Sequence, residues 1–251
     1  MDGLTVFTAR SPRSACGYRP TPDAAFIFLL SGGFVIDMRA DAYALDPASA
    51  DSLRVSLETG IEAAAAERSA RLGIPVCDAH AQITEFLACL REQGLLERAA
   101  TTTRRVETRP IARLLAAAAI RLCRRGNGGS RRLGFAIALA RLSFRRYGWT
   151  GTIDAWKAAL RNARPGAGSC SLGNIDTAIS AASTRGGTGA DCKERALCAW
   201  SIARLEGYEA ALIIGLQFHP LAGHCWCVAG GRPLGDRGSR IARFAPVLRY
   251  S

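Results

Sequence analysis

The sequence predicts an α+β protein of two domains. Three short β-prone runs stand ahead of helical stretches in the first hundred residues, and a second block of helices gives way to strand-type alternation after residue 209. The charge also changes sign between the halves: residues 1–100 carry 9 Lys+Arg against 13 Asp+Glu, a net of −4, and residues 101–251 carry 24 against 8, a net of +16. The step falls at 101–109, TTTRRVETR, a polar stretch ahead of Pro110 that reads as a linker. It divides the chain into a domain of residues 1–100, with its core from about residue 20, and one of residues 110–251.

A chain of 251 residues with 49% apolar and 22% charged residues has the size and composition of a folded protein. The longest apolar run, Ala24 to Ile36, is broken by Ser31, Gly32 and Gly33, short of the ~18 to 20 residues of a membrane span. Residues 1–16 lack a basic segment leading into an apolar one, so no signal peptide and a cytoplasmic location are expected. Nine scattered cysteines do not suit a disulfide scaffold, and most read as small buried hydrophobes.

Twelve arginines fall between Arg104 and Arg146, with Glu107 the only acid among them. Lys157 and Lys193 are the only lysines, an arginine bias that with abundant alanine points to a GC-rich genome. A solvated face is the first reading of the cluster and a dock for an acidic partner the second. Nucleic acid is not expected, because the half whose outline would suit DNA binding is the acidic one.

In the first domain, Ala25 to Leu30, Phe34 to Arg39 and Ala42 to Asp46 are strand candidates separated at hairpin spacing by Gly32-Gly33 and Ala40-Asp41. Pro47 opens a helix to about Glu58, and Gly60 to Leu72 is a second, closed by Gly73 and Pro75. From Asp78 to Leu96, Ile83, Phe86, Leu87, Leu90 and Leu95 recur at helical spacing. Three strands followed by helices give a winged helix-turn-helix outline. Its last strand, if it lies at the sheet edge, offers unpaired backbone groups to an incoming peptide strand. His80 reads as a structural residue near a helix start.

In the second domain, Arg113 to Arg124 and Leu133 to Arg145 read as amphipathic helices, 164–173 as a loop, and Ile175 to Thr184 as a helix capped by Asn174. Asp191 and Glu194 form a capping box, which sets Cys192 at the first helical position, and Gly207 stops that helix. The positive end of a helix favours a thiolate, so a lowered cysteine pKa is expected there. Ala210 to Phe218 and His224 to Ala229 read as strands, and Arg232 to Asp236 follows a Gly230-Gly231 turn. A two-residue turn would set His224 and Asp236 on opposite faces, whereas a three-residue loop with Gly231 left-handed would set them opposite one another. The second register is the expectation, because it lets a carboxylate orient an imidazole that faces a helix N-terminal thiol. Cys192, His224 and Asp236 are then candidate nucleophile, general base and orienting group. A metal site at His219, His224, Cys225 and Cys227 is not expected, since alternation turns both cysteines away from His224 and no Cys-x-x-Cys pair exists. Cys198, Cys225 and Cys227 read as packing residues.

The segment CKERAL through LIIGLQFHPLAGHCWCVAGGRPLGD, residues 192 to 236, resembles the transglutaminase-like peptidase domain of lasso-peptide B proteins. The similarity covers about 110–251, with His-x-Trp and the following Asp its most specific part. Cysteines at 225 and 227 depart from the usual pattern. FVIDMRADAYALD resembles, more loosely, the leader-recognition element often fused to that peptidase. The resemblance implies a papain-like α+β peptidase fold with a small antiparallel sheet, needing no cofactor, with Cys192, His224 and Asp236 as its triad. It implies that the first domain binds the leader of a ribosomal precursor peptide as an added strand along Tyr43, Ala44 and Leu45, beside Phe86 and Leu90. The second would cut the leader–core bond and pass the freed core to an ATP-dependent cyclase, with the basic 104–146 face as a candidate dock. An acyltransferase on the same triad and a winged-helix nucleic-acid regulator are the alternatives.

Overall fold

The computed structural model describes residues 5–8, 14–29, 32–37, 42–99, 110–124, 130–163, 170–185, 190–218, 221–236 and 238–251. The linker at 101–109, the turn at Ala40-Asp41 and His219 lie outside them. The chain divides into two compact units, Met1–Arg105 and Val106–Ser251.

In the first unit, β1 (Thr5–Thr8), β3 (Ala24–Leu29), β4 (Gly32–Asp37) and β5 (Ala42–Leu45) form an antiparallel sheet in the order β1-β3-β4-β5. The short strands β2 (Tyr18–Pro20) and β6 (Leu96–Arg98) pair separately. Three strands were expected here. β1, β2 and β6 are too short, and in β2 too polar, for alternation to mark them, and tertiary pairing makes them strands. Helix α1 (Pro47–Thr59) starts where the Asp46 carboxylate accepts from the amides of Ala48 and Ser49 at 3.0 Å, with Pro47 at the position that needs no donor. α2 (Ile61–Leu72) stops at Gly73, whose φ of +67° is the left-handed conformation of a helix end. α3 (Val76–Glu92) follows Pro75 and buries Ala79, Ile83, Leu87 and Leu90, one face at 3.6-residue spacing. These residues close on Phe26, Phe28 and Val35 of the sheet and Leu53 and Leu57 of α1. β5 lies at the sheet edge, and Tyr43 on it is 48% exposed.

The second unit opens with α4 (Pro110–Arg124) packed on α5 (Ser130–Arg161), which is broken at Gly148 by a φ of +67°. α6 (Leu172–Arg185) follows, and its cap is Ser171 rather than Asn174: the Asn174 amide donates to the Ser171 hydroxyl at 3.2 Å. α7 (Cys192–Leu205) is the central helix. Ten of its fourteen residues are buried, and it packs on α4, α5, α6 and a sheet. A helix apolar nearly all round belongs inside its domain. The sheet runs β10-β7-β8-β9, from β7 (Ala210–Phe218), β8 (Leu221–Ala229), β9 (Arg232–Leu234) and β10 (Ala245–Tyr250), with the short α8 (Gly238–Ile241) before β10. Among the described residues no helix is long and apolar enough to cross a membrane.

Candidate active site

The N-terminus of α7 is fixed by a reciprocal cap. The Asp191 side chain accepts from the Glu194 amide, and Glu194 Oε2 accepts from the Asp191 amide at 2.9 Å. Glu194 is 1% exposed, and its other oxygen accepts from Arg141 Nε at 3.1 Å, so α5 supplies the counter-charge for the buried carboxylate. Cys192 is thereby held at the first turn of the helix.

His224 sits on β8 opposite Gly215 of β7, 3% exposed. Its ring lies between Trp226, stacked at 6.0 Å, and Phe244, tilted at 4.8 Å. Gly215 leaves room for this arrangement: a Cβ there would come within 2.6 Å of the Trp226 ring and 2.8 Å of the Ala245 carbonyl oxygen.

The β8–β9 hairpin takes the register that was not expected. Ala229 pairs with Arg232 and Cys227 with Leu234 across a two-residue turn, and Gly230 and Gly231 have φ of +55° and +76°. Both central residues are left-handed, as a type I′ turn requires and as its twist-matched geometry favours. Continued straight, that ladder would turn Asp236 away from His224. The chain leaves the ladder at Gly235, φ +73°, and this bend brings Asp236 Oδ2 to 2.6 Å from His224 Nε2. The Gly235 amide donates to Asp176 Oδ1 of α6 at 2.7 Å, and a Cβ on Gly235 would meet Ile179 at 2.9 Å. A left-handed glycine pinned to α6 therefore does what the three-residue loop was expected to do.

With Nε2–H donating to Asp236, neutral His224 keeps its lone pair on Nδ1. β9 pairs with β8 only as far as Cys227, so the β8 edge beside His224 is clear of it. α7, with Cys192 at its first turn, packs on β8. Burial pushes the Cys192 thiol above its ordinary value. The Cys225 amide, the Arg195 guanidinium and the Lys193 amide draw it back only in part, and Asp191 adds to the rise. This corrects the expected lowering: desolvation outweighs the helix terminus. Burial likewise pushes the His224 imidazole below its ordinary value, against the upward pull of Asp236, and Arg240 and Arg195 press it further down. Both shifts favour the neutral forms, of the thiol and of the imidazole.

Residues 135–249 match the profile of the transglutaminase-like superfamily. They form a transglutaminase-like domain. The match begins within α5 and runs through β10, so it contains the whole α7, β8 and β9 constellation. No curated protein and no solved structure matches the chain. In this transglutaminase-like domain Cys198, Cys225 and Cys227 are buried, and among the described residues no cluster of His, Cys, Asp and Glu is arranged to hold a metal.

Of the five residues expected to contact a peptide in the first unit, Tyr43 and Ala44 are exposed on the edge strand, while Leu45 and Phe86 are half-buried against the core. Leu90 is 5% exposed and belongs to the core itself, which corrects its reading as a pocket wall. Its period placed it on the inner face of α3, and that face is taken by the protein's own sheet. Sequence reasoning missed Asp176, Phe244 and Arg195 as parts of the site. Gly235 beside Asp236 is the one residue whose type could have signalled the bend.

Proposed function

We propose that this chain is a cysteine peptidase that removes the leader from a ribosomally made precursor peptide of the lasso class. The observation that carries the reading is the 2.6 Å His224–Asp236 hydrogen bond on the sheet that packs against α7, whose first residue is Cys192. As the Cys192 sulfur attacks the scissile carbonyl carbon, its proton passes to His224 Nδ1 and the carbonyl π pair moves to oxygen. The Cys192 amide, at the start of α7, is available to the resulting oxyanion. His224 then gives the proton to the departing amine as the C–N bond breaks, leaving a thioester. Water, deprotonated by His224, hydrolyses the thioester to a leader carboxylate and restores the thiol. Asp236 holds the ring orientation throughout and stabilises the imidazolium.

The first unit supports the substrate half of the reading. β5 is an exposed edge of four residues, long enough to take an added strand, with Tyr43 facing solvent. The freed core would pass to an ATP-dependent cyclase. Ile111 and Leu114 on α4 and Phe135 and Leu142 on α5, all exposed among arginines, suit a partner with an acidic rim.

Mass spectrometry of the precursor peptide after incubation with wild type and with Cys192→Ala tests the proposal. A single cut at the leader–core junction, lost in the variant while leader binding is kept, is the expected result. Cleavage by Cys192→Ala would sink the assignment. A product carrying an added amine in place of the leader carboxylate would make the chain an acyltransferase on the same residues.

A further inference from the structure

Beside the His224–Asp236 pair lies a cavity of about 720 Å³ whose wall includes Asp176, Arg195, Asp236, Ser239, Arg240 and Arg243. Its two carboxylates are already engaged, Asp236 with His224 and Asp176 with the Gly235 amide. The three guanidinium groups are not balanced in the same way. Arg195 stands one helical turn after Cys192, and its Nε is buried with no hydrogen-bond partner among the described residues. Arg240 and Arg243 are exposed and form no ion pair with a carboxylate among the described residues. A buried guanidinium N–H without an acceptor is costly unless an acceptor arrives. The cavity adjoins the His224 pair through Asp236, which lines it and bonds His224, and Arg195 lines it one helical turn after Cys192.

We infer that this cavity is an anion subsite that receives the carboxylate of an acidic residue of the substrate peptide, close to the bond being cut, on Arg195, Arg240 and Arg243. The peptide part of this inference rests on the cysteine-peptidase reading above. A carboxylate suits the site because its two coplanar oxygens match the fork of a guanidinium, and Asp and Glu are the ordinary anions of a ribosomal peptide. Such a residue would be held by the wall that also carries Asp236, which fixes the peptide's register against the thiol.

The test does not need a known substrate. The full-length protein is alkylated with iodoacetate and, separately, with iodoacetamide, and the rate at Cys192 is followed on the tryptic peptide of residues 186–193, in which it is the only cysteine. The exposed Cys77 and Cys89 serve as references within the same protein. The iodoacetate-to-iodoacetamide rate ratio at Cys192 should exceed theirs by about threefold to tenfold. It should fall toward theirs in the Arg240→Gln, Arg243→Gln double variant and be kept in Arg240→Lys, with unchanged circular dichroism showing that each variant is folded. A wild-type ratio equal to that of Cys77 and Cys89, or one unmoved in the double variant, would overturn the subsite. Protection of Cys192 by inorganic phosphate and not by acetate would overturn the carboxylate assignment. With the precursor peptide, the double variant should raise KM and largely keep kcat, and changing acidic residues near the junction to their amides should abolish the difference between variant and wild type. If no peptide is cut at all, the peptidase reading fails while the alkylation ratio still decides the subsite.

Discussion

The Gly235 amide donates to the Asp176 carboxylate at 2.7 Å, and this bond ties α6 to the bend that delivers Asp236 to His224. Asp176 touches no reacting group. In the proposed mechanism it is a positioning residue, acting on Asp236 through one peptide unit. Asp176→Ala should lower kcat about tenfold or more, and Asp176→Asn, which keeps an acceptor oxygen, should recover most of the loss. Equal losses in the two variants would show that the charge, and not the acceptor, is what matters.

Gly235→Ala meets two obstacles at once, a φ of +73° and a Cβ 2.9 Å from Ile179. We expect a loss of about 1–3 kcal/mol in stability, measured by urea denaturation. Activity should fall further than stability does, because relaxation of the bend moves Asp236.

Asp236→Asn tests the carboxylate itself. The amide can present the wrong group to Nε2, so His224 is left in the wrong tautomer for Nδ1 to act as base. A loss of about 10²- to 10⁴-fold in kcat is expected, with the fold intact by circular dichroism.

The pH profile has a defined sign. In the proposed mechanism His224 acts as a neutral base, and burial lowers its pKa, so the acid limb of kcat/KM should lie below the ordinary ~6.5 of histidine. Asp236 pulls that pKa upward, so Asp236→Asn should move the limb to still lower pH. The same depression gives a stability contribution that is full above ~6.5 and is lost as the pH falls through the folded-state value, because the unfolded chain takes the proton first. An acid limb above 6.5 in wild type would contradict a neutral resting imidazole.

Glu194 is buried and holds both Arg141 and the Asp191 amide. Glu194→Ala should cost about 3–5 kcal/mol, since it removes half a cap and breaks the buried ion pair with Arg141. Glu194→Gln, with Arg141 still present, should cost less. Thermal unfolding at several ionic strengths would separate the charge from the cap.

The elements governed by local rules were legible in the sequence. The β-rich runs 210–218 and 224–229, the Asp191–Glu194 box and the glycine ends of α2 and α7 are short-range signals, and the structure has each of them. The hairpin register was not legible. Two adjacent glycines admit either loop length, and the deciding contact is between Gly235 and an aspartate 59 residues away. β10 was missed because its six residues include a proline and are half exposed, so only pairing with β7 makes them a strand. The thiol's environment was misread for a related reason. A capping pattern reveals a helix terminus, but not how much protein covers it, and burial is what sets the direction of the Cys192 shift.

The twelve-residue separation of His224 and Asp236 carries a consequence for how such genes can vary. Two residues of type I′ turn, three residues of ladder and one left-handed glycine fill the space between Ala229 and Asp236. A single codon inserted among the ladder residues 232–234 would invert the face of the strand residues that follow it. Length changes should therefore accumulate elsewhere, and descendants of this gene should keep the spacing even where they exchange most of the residues within it.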